Sequence, residues 1–500
     1  MMSLHLLVGL KWLLVALVMV GAVPLILANY QFLMVAAHFR RLHYDRCKPW
    51  FPQTAILIPA WNEAAVIGAS IDRLMLLDYP REALRIYVVD DASTDDTPDV
   101  IQAKAAKYPG NVFHLRRKHG GEGKAHTLNH GLKVILADDW MEAILIMDAD
   151  VIYEPDSLRK MTRHLADPGI GAVTAYIKEG SRPGNYMTRF IGYEYITAQG
   201  AARRAQNVLG VLACLAGGAQ LHSRANIEAL GGQIDTSSLA EDTITTFETQ
   251  RGARRVIFEP HATVWAEEPG NIGGLWKQRL RWARGNIQVT LRFRHLWFQP
   301  QAGNRLGSST FGLFWFALLV LPITMICASA SLVALFFIDY RLAWAAFHVL
   351  WITNVITYVF ITSFALLIDT QTGKRVWREA LLFPGLISVL IIAAAVVPGP
   401  LRALGIHAMS AAGFSVTGAE VRGLELFTYI WLAGCMGVSY LAKVTETRWL
   451  GWLISPVLIY IGGYGPLLCA VTTAAYIKEI RRADITWEKT EKTGKVAMPA

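Results

Sequence analysis

Six apolar stretches of this chain contain no aspartate, glutamate, lysine or arginine, and they constrain its architecture before any motif is considered. They are residues 12–38, 306–338, 342–368, 380–401, 426–442 and 449–477. A helix needs roughly 20 apolar residues to span a hydrocarbon core of about 30 Å. Most of the six exceed that length, and 426–442 is at the short limit. With 500 residues, 53% of them hydrophobic, and a mean hydropathy of +0.32, the chain is too apolar to be soluble throughout. A polar block of about 250 residues lies between the first stretch and the second.

The first stretch is longer than the apolar core of a signal peptide. No small-residue cleavage site precedes the basic pair Arg40-Arg41, so it reads as a retained anchor. Arg40, Arg41, Arg46 and Lys48 follow it, and the positive-inside bias then places the polar block in the cytoplasm, at the inner membrane. The net charge of +9 reflects that bias rather than nucleic-acid binding, and no nucleic-acid partner is expected. The basic segment Lys478-Glu479-Ile480-Arg481-Arg482 puts the tail on the same side. That requires an even number of crossings after the polar block, where five apolar stretches stand. Residues 380–401 contain Pro384, Pro398 and Pro400 between basic flanks, so they are expected to lie along the interface as a helix that does not cross. The expected division is an anchor at 1–48, a cytoplasmic domain at 49–300, membrane helices at 301–477 and a cytoplasmic tail at 478–500. Five scattered cysteines without a CxxC pair support neither a disulfide framework nor a zinc site.

Inside the polar block, short apolar runs alternate with helical patterns. Residues 55–58, 84–89, 112–115 and 143–147 read as strands. Residues 64–77 and 97–108 read as helices, the second opened by Thr97-Pro98 as cap and first-turn residue. Such alternation predicts an open parallel α/β sheet, whose ligands bind beyond the carboxyl ends of strands. Asp91 and Asp148 stand at two of those ends.

Several signatures then follow in order. Asp148-Ala149-Asp150 places two carboxylates one residue apart after a buried strand; they can hold Mg²⁺ or Mn²⁺ together with the phosphates it bridges, or form an ordinary acidic turn. Asp91, in VVDDASTDDT, can meet a base, a ribose or a metal, or simply cap a loop. Pro59-Ala60-Trp61-Asn62-Glu63 is a nucleotide-facing loop or a plain helix start. In HGGEGK the glycines permit close backbone approach and Lys124 can meet a phosphate, though neither a Walker nor a GxGxxG pattern is present. Glu241-Asp242 offers a general base to an attacking hydroxyl, or is an acidic pair favoured by a helix dipole. In QRLRW, Arg281 suits a departing diphosphate and Trp282 the floor of a sugar site. The plain alternative is an amphipathic surface helix with Arg279 and Arg284 facing lipid phosphate.

Taken together, Pro59–Glu63, Asp91, Asp148-Ala149-Asp150, Glu241-Asp242 and Gln278–Trp282 resemble the D, DxD, (T)ED, QxxRW series of membrane-bound processive family 2 glycosyltransferases, such as cellulose, hyaluronan, chitin and poly-N-acetylglucosamine synthases. The resemblance covers roughly residues 50–300 by motif and the rest by membrane layout. It implies a GT-A-like nucleotide-sugar domain, an open mixed sheet inserted between transmembrane helices. By the same resemblance, Pro59, Ala60, Glu63 and Asp91 hold uridine, and Lys124 serves the nucleotide loop. Asp148 and Asp150 bind Mg²⁺ or Mn²⁺ with the diphosphate, and Asp242, beside Glu241, is the base. Gln278, Arg281 and Trp282 serve acceptor and leaving group. Phe414-Ser415-Val416-Thr417 is similar to an FxVT gating loop within 402–424, with Phe414 and Thr417 as contacts, and Trp487-Glu488-Lys489-Thr490 to a WxxT tail motif. Three departures stand out. Ala240 replaces the usual threonine, and Gly418 and Ala419 follow FSVT where a gating lysine is usual. No PilZ-like extension is seen, so control by a cyclic dinucleotide within the chain is not expected.

The expected activity is an inverting β-glycosyltransferase that polymerises UDP-GlcNAc or UDP-glucose and moves the product through its own helices, with room for an accessory export subunit. FSVT leans toward glucose and GLWKQRLRWARG toward N-acetylglucosamine. Two other functions fit the sequence: a single transfer onto a membrane lipid, and a non-catalytic transport or scaffold role. The intact carboxylates speak against the last.

Overall fold

The computed structural model describes residues 2–39, 41–301, 305–396, 407, 418–483 and 494–497. The chain forms two compact units, 34–312 with 483–500 and 1–33 with 313–482.

The first unit is built on one sheet. β1 (Thr54–Ala60), β2 (Leu84–Asp90), β3 (Val112–Arg116) and β4 (Ala143–Ile146) coincide with the expected runs. They lie parallel in the order β3-β2-β1-β4. β5 (Val151–Tyr153), β6 (Ile170–Glu179), β7 (Gln220–Ser223) and β8 (Arg255–Ala266) extend the sheet to the order β3-β2-β1-β4-β7-β6-β8-β5. β7 is antiparallel to β4 and β6, and β5 to β8. The sheet is therefore open and mixed: β5 and β7 are reversed, while β6 and β8 run in the same direction as the first four strands. The physical reason is that regular strand–helix alternation ends at β4. The chain from β6 to β7 runs through a long helical segment, Tyr186–Leu209, and re-enters the sheet reversed.

β1 and β4 are central and covered on both faces. Their side chains are almost wholly buried, which is why they read as continuous apolar runs rather than alternating ones. Leu128, Leu132 and Ile135 of the Lys124–Ile135 helix pack against Leu57, Val89, Ile144 and Ile146. This packing fixes where that helix begins, and hence where Lys124 points. Thr97 is the first helical residue rather than the cap, which is Asp96. Its hydroxyl instead accepts the Glu63 N–H at 2.8 Å, so it ties the loop after β1 to the loop after β2. The tail also belongs to this unit. Gly494 donates its N–H to Glu267 at 3.0 Å, Arg182 N–H reaches the Lys495 carbonyl at 2.7 Å, and Ala497 N–H reaches the Gly180 carbonyl at 3.1 Å.

Among the described residues, four helices are long and apolar enough to cross a membrane: His5–His38 (which passes through a turn at Gly21-Ala22), Leu321–Ile338, Tyr340–Ile368 and Arg422–Glu446. Up to six qualify if two bent pairs each count as one, Thr370–Leu381 with Leu386–Val396 (82°) and Gly451–Gly462 with Tyr464–Ile480 (96°). The described part of 380–401 is thus not one helix, as expected, but is divided at the first of these bends. The bends have a backbone cause. Gly385 (φ +91°) and Gly463 (φ +104°) adopt conformations that L side chains avoid. A Cβ on Gly463 would stand 2.5 Å from the Pro384 carbonyl carbon, and one on Gly385 2.5 Å from the Ile461 oxygen. The two bends therefore pack backbone to backbone. Leu386–Val396 has 11 residues, about 16 Å of helix, or roughly half a hydrocarbon core.

Candidate active site

The loops at the carboxyl ends of β1, β2 and β4 converge, as an open α/β sheet requires. Asp91 N–H donates to the Ala60 carbonyl at 2.8 Å, joining the β1 and β2 ends. Asn62, held at φ +53°, accepts the Thr94 N–H on its side chain at 2.9 Å, and its own N–H reaches Ser93 Oγ at 2.9 Å. Pro59, Ala60 and Glu63 are thus fixed along one rim. Asp91 is buried with both carboxylate oxygens engaged, one by Arg117 and the other by the Gly121 N–H at 3.0 Å. It anchors the glycine loop that leads to Lys124. A Cβ on Gly120 would fall 2.0 Å from the Asp91 carbonyl oxygen, so that close approach is open to glycine alone.

Lys124 is the centre of the site. Its Nζ donates to Asp148 Oδ1 at 2.6 Å and to the Gly217 carbonyl at 3.2 Å, and lies 3.7 Å from Glu241 Oε1. Burial alone would lower the Lys124 pKa, but Asp148 and Glu241, with Asp242 behind them, outweigh it and raise it above the usual range. Burial raises the Glu241 carboxyl; Lys124 pulls it down and Asp242 pushes it up, leaving it net above the carboxylate range. Arg281 acts on the same carboxyl from the Ile272–Arg292 helix. Glu241 and Asp242 occupy the first turn of the Glu241–Arg251 helix. The acidic pair thus stands where a helix dipole favours it, with Lys124 facing Glu241. Asp242 Oδ1 accepts the Thr243 N–H at 2.7 Å and faces the Thr243 hydroxyl at 3.3 Å, which orients the carboxylate.

Two glycines keep space open among these charges. A Cβ on Gly217 would stand 3.3 Å from Asp242 Oδ2 and 3.4 Å from Lys124 Nζ, and one on Gly218 would stand 3.4 Å from Asp148 Oδ2. Side chains here would fill a cradle floored by carboxylates. The donors are hard oxygens, and among the described residues no three His, Cys, Asp or Glu form a closed metal cage. One or two carboxylates beside a space for phosphate fit Mg²⁺ or Mn²⁺, which keep positions for substrate oxygens. Asp150 lines a small cavity with Ser70, Arg73, Gly494 and Val496. Its neighbour Ala149 is fixed by the Ser70 hydroxyl, which donates to the Ala149 carbonyl at 2.5 Å.

The structure brings Lys124, Asp148, Glu241, Asp242 and Arg281 together, and sets Pro59, Ala60, Glu63 and Asp91 on the adjoining rim. Phe414 and Thr417 lie outside the described residues, as do Trp487–Thr490. The plain alternative for this helix does not hold: Arg279 and Arg284 do not face lipid, and both are buried. Arg279 binds Glu194 through Nε and Nη2 at 2.9 and 2.8 Å, and Arg284 donates to the Ala483 carbonyl at 2.6 Å. A buried guanidinium persists only where acceptors meet it, and these acceptors come from segments far away in sequence. Arg117, Glu194 and the Gly217-Gly218 pair were not singled out in the sequence. Only the glycine doublet ahead of a strand offered a local signal.

A sequence model of the family described as "Glycosyltransferase like family 2" matches residues 52–285. Among curated proteins, the probable glycosyltransferase YdaM of Bacillus subtilis is 32% identical over 282 residues, covering 55% of this chain and 66% of that protein. The poly-beta-1,6-N-acetyl-D-glucosamine synthase of Staphylococcus aureus is 28% identical over 237 residues, covering 47% and 55%. The chain thus spans between half and two thirds of the length of these relatives. Among solved structures, the mannosyltransferase PcManGT from Pyrobaculum calidifontis in complex with GDP-Man and Mn²⁺ aligns with a TM-score of 0.49 at 21% identity, over 76% of this chain and 99% of that one. S. aureus TarS 1–349 in complex with UDP-GlcNAc aligns at 0.34 and 13% identity, over 65% and 90%.

Proposed function

From the premise that residues 52–285 are a family 2 glycosyltransferase domain, we propose that this chain is a membrane-embedded inverting β-glycosyltransferase that polymerises a UDP-sugar. UDP-GlcNAc is the first donor to test and UDP-glucose the second. The observation that carries the reading is the cluster of Lys124, Asp148 and Glu241 around one ammonium, with Asp242 alongside and glycines in place of side chains above it. The likeness to poly-N-acetylglucosamine synthases supports the choice of donor.

In this reading the acceptor hydroxyl enters beside Gly217, where Asp242 Oδ2 takes its proton. The acceptor oxygen bonds to the anomeric carbon as the bond from that carbon to the phosphate oxygen breaks, and UDP leaves with the electron pair. Lys124 and Arg281 offset the charge that grows on the diphosphate. Asp148 and Asp150 would hold Mg²⁺ or Mn²⁺, which supplies further charge neutralisation at the diphosphate. Glu241, kept in check by Lys124, shapes the field at Asp242. Trp282 floors the acceptor site and Gln278 binds its rim.

The tail supports a topology. Residues 494–497 bond to Gly180, Arg182 and Glu267, which supports a tail on the same side of the membrane as the catalytic domain, with an even number of crossings between them. Among the described residues, Leu321–Ile338, Tyr340–Ile368, Arg422–Glu446 and one of the bent pairs would meet that count. The basic segment after the anchor supports a cytoplasmic location for the shared side.

The test uses inverted membrane vesicles, labelled UDP-sugars and Mg²⁺ or Mn²⁺, with product mass and organic extraction as readouts. High-mass aqueous glycan is expected. A chloroform-soluble monoglycoside would replace polymerisation by a single lipid-linked transfer, and full turnover in Asp242→Asn would remove the assigned base.

A further inference from the structure

The buried Arg279 has an arrangement that the reaction above does not use. It lies between Gln278 and Trp282 on the Ile272–Arg292 helix, and one guanidinium touches both. Its Nη1 donates to Gln278 Oε1 at 2.5 Å, and its Cζ lies over the Trp282 ring, 4.1 Å from the ring centre. Another edge is taken by Glu194, which accepts from Nε and Nη2 in a two-point contact. The two side chains of this pair are only 11% and 5% exposed. Tyr195, the next residue, lies 5.7 Å below the same guanidinium, and its hydroxyl donates to Glu268 at 2.5 Å. Glu194 and Tyr195 close the Tyr186–Tyr195 helix, directly before a π-helical turn at Ile196–Ala201. Such turns recur where a helix must re-aim side chains at a functional site.

The planar five-donor fork of arginine suits this task. It can accept a two-point carboxylate on one edge, reach an amide on another and still offer its face to an indole. Lysine cannot do all three. Left to itself, a half-buried tryptophan on a helix turns about two side-chain torsions. Stacked on a guanidinium that is itself locked by a buried carboxylate, its plane is set.

We propose that Glu194 is a positioning residue for transfer: it locks Arg279, and Arg279 fixes the Trp282 plane and the Gln278 amide that receive the acceptor. This rests on the transferase reading above, with Trp282 on the acceptor side. The donor pocket at Lys124 and Asp148 is made by other elements, so loss of the lock separates the two halves of the reaction. The acceptor half fails while nucleotide binding stays.

The experiment uses the full-length protein in detergent or vesicles. Three quantities are read: product chain length, UDP affinity with Mn²⁺ by calorimetry, and melting temperature. Glu194→Gln keeps the shape and removes the charge. It is expected to shorten product at least about tenfold while UDP affinity stays within about twofold. Arg279→Lys should match it, and the double variant should be no worse than either single, because the two act as one unit. Glu194→Asp, which keeps the charge, should recover part of the length and serves if the glutamine variant folds poorly. Unchanged product length in Glu194→Gln, or in Arg279→Lys where the glutamine variant folds poorly, overturns the proposal. So does a parallel fall of product, UDP affinity and melting temperature, which would mark the pair as structural only. Failure of the transferase reading itself is visible separately, as wild-type protein that binds UDP and makes no glycan.

Discussion

The contact between Gly285 and Ala240 gives the sharpest quantitative test of the site. Gly285 lies four residues after Arg281 on the Ile272–Arg292 helix, and Ala240 immediately precedes Glu241 as the cap of the Glu241–Arg251 helix. A Cβ on Gly285 would lie 2.7 Å from the Ala240 Cβ and 3.3 Å from its nitrogen. Carbon atoms at rest sit about 3.5–4.0 Å apart, so Gly285→Ala forces the two helices to part by roughly 1 Å at this point. Overpacking of this kind costs about 1–3 kcal/mol of stability. The larger effect falls on rate, because the displaced helices carry Asp242 on one side and Arg281 and Trp282 on the other. A misplacement of roughly 1 Å at reacting groups costs about a hundredfold. The assay is UDP release by the full-length protein at saturating donor, beside its melting temperature. The decisive arm is the double variant Gly285→Ala with Ala240→Gly, which removes the methyl that the new one strikes. It should regain most of the rate, with a coupling of about 1–2 kcal/mol in the double-mutant cycle. Wild-type turnover in Gly285→Ala, or a double variant no better than the single, would refute the claim that this contact sets the spacing of the two catalytic helices.

The remaining predictions concern the donor side and the scaffold. Gly120→Ala should weaken UDP binding by at least about tenfold, measured by calorimetry, because its Cβ would meet the Asp91 carbonyl at 2.0 Å. Gly110→Ala, at φ +82° with open space around it, should cost only about 1 kcal/mol of stability and leave UDP affinity alone. Lys124→Met removes the ammonium that meets Asp148 and Glu241. Breaking a buried pair from one side costs about 3–5 kcal/mol, and the 40% exposure of the Asp148 side chain places the loss near the lower figure. Added Mn²⁺ should then raise the melting temperature of the variant more than that of wild type. At Asp72, burial favours a higher pKa, but Lys104, Tyr108 and Lys107 outweigh it and hold the carboxyl at about 2. The folded value lies below the unfolded one, so this stabilisation is complete above about pH 4 and disappears as the pH falls toward 2. A shift of this size corresponds to roughly 2.5 kcal/mol, and with the side chain 35% exposed solvent screening reduces it to about 1 kcal/mol. Asp72→Asn should flatten the stability profile in that window by that amount, read by denaturant titration.

What the sequence disclosed and what it hid divide along a physical line. β1 and β4 were legible because both faces of a central parallel strand are covered, so each reads as an unbroken apolar run. Asp91 and Asp148 were legible because a strand end beside a polar loop is where such sheets bind ligands. The mixed half of the sheet was not legible. β7 is four residues long and its partners β4 and β6 lie far from it in the chain, so its direction depends on how a long helical excursion returns, and no local pattern encodes that. The lipid-facing alternative for Arg279 fails for the same kind of reason. One turn of an arginine-rich helix gives the same signal whether it faces lipid phosphate or a buried carboxylate, and only Glu194, 85 residues earlier, decides between them. The bends at Gly385 and Gly463 make the same point in the apolar unit: hydropathy counts residues that prefer the bilayer, but it cannot show that two glycines fold one stretch back against another. Motif order singled out the groups proposed to do chemistry at the donor. The carboxylates and glycines that hold those groups in register come from sequence-distant elements, and only the fold assembles them.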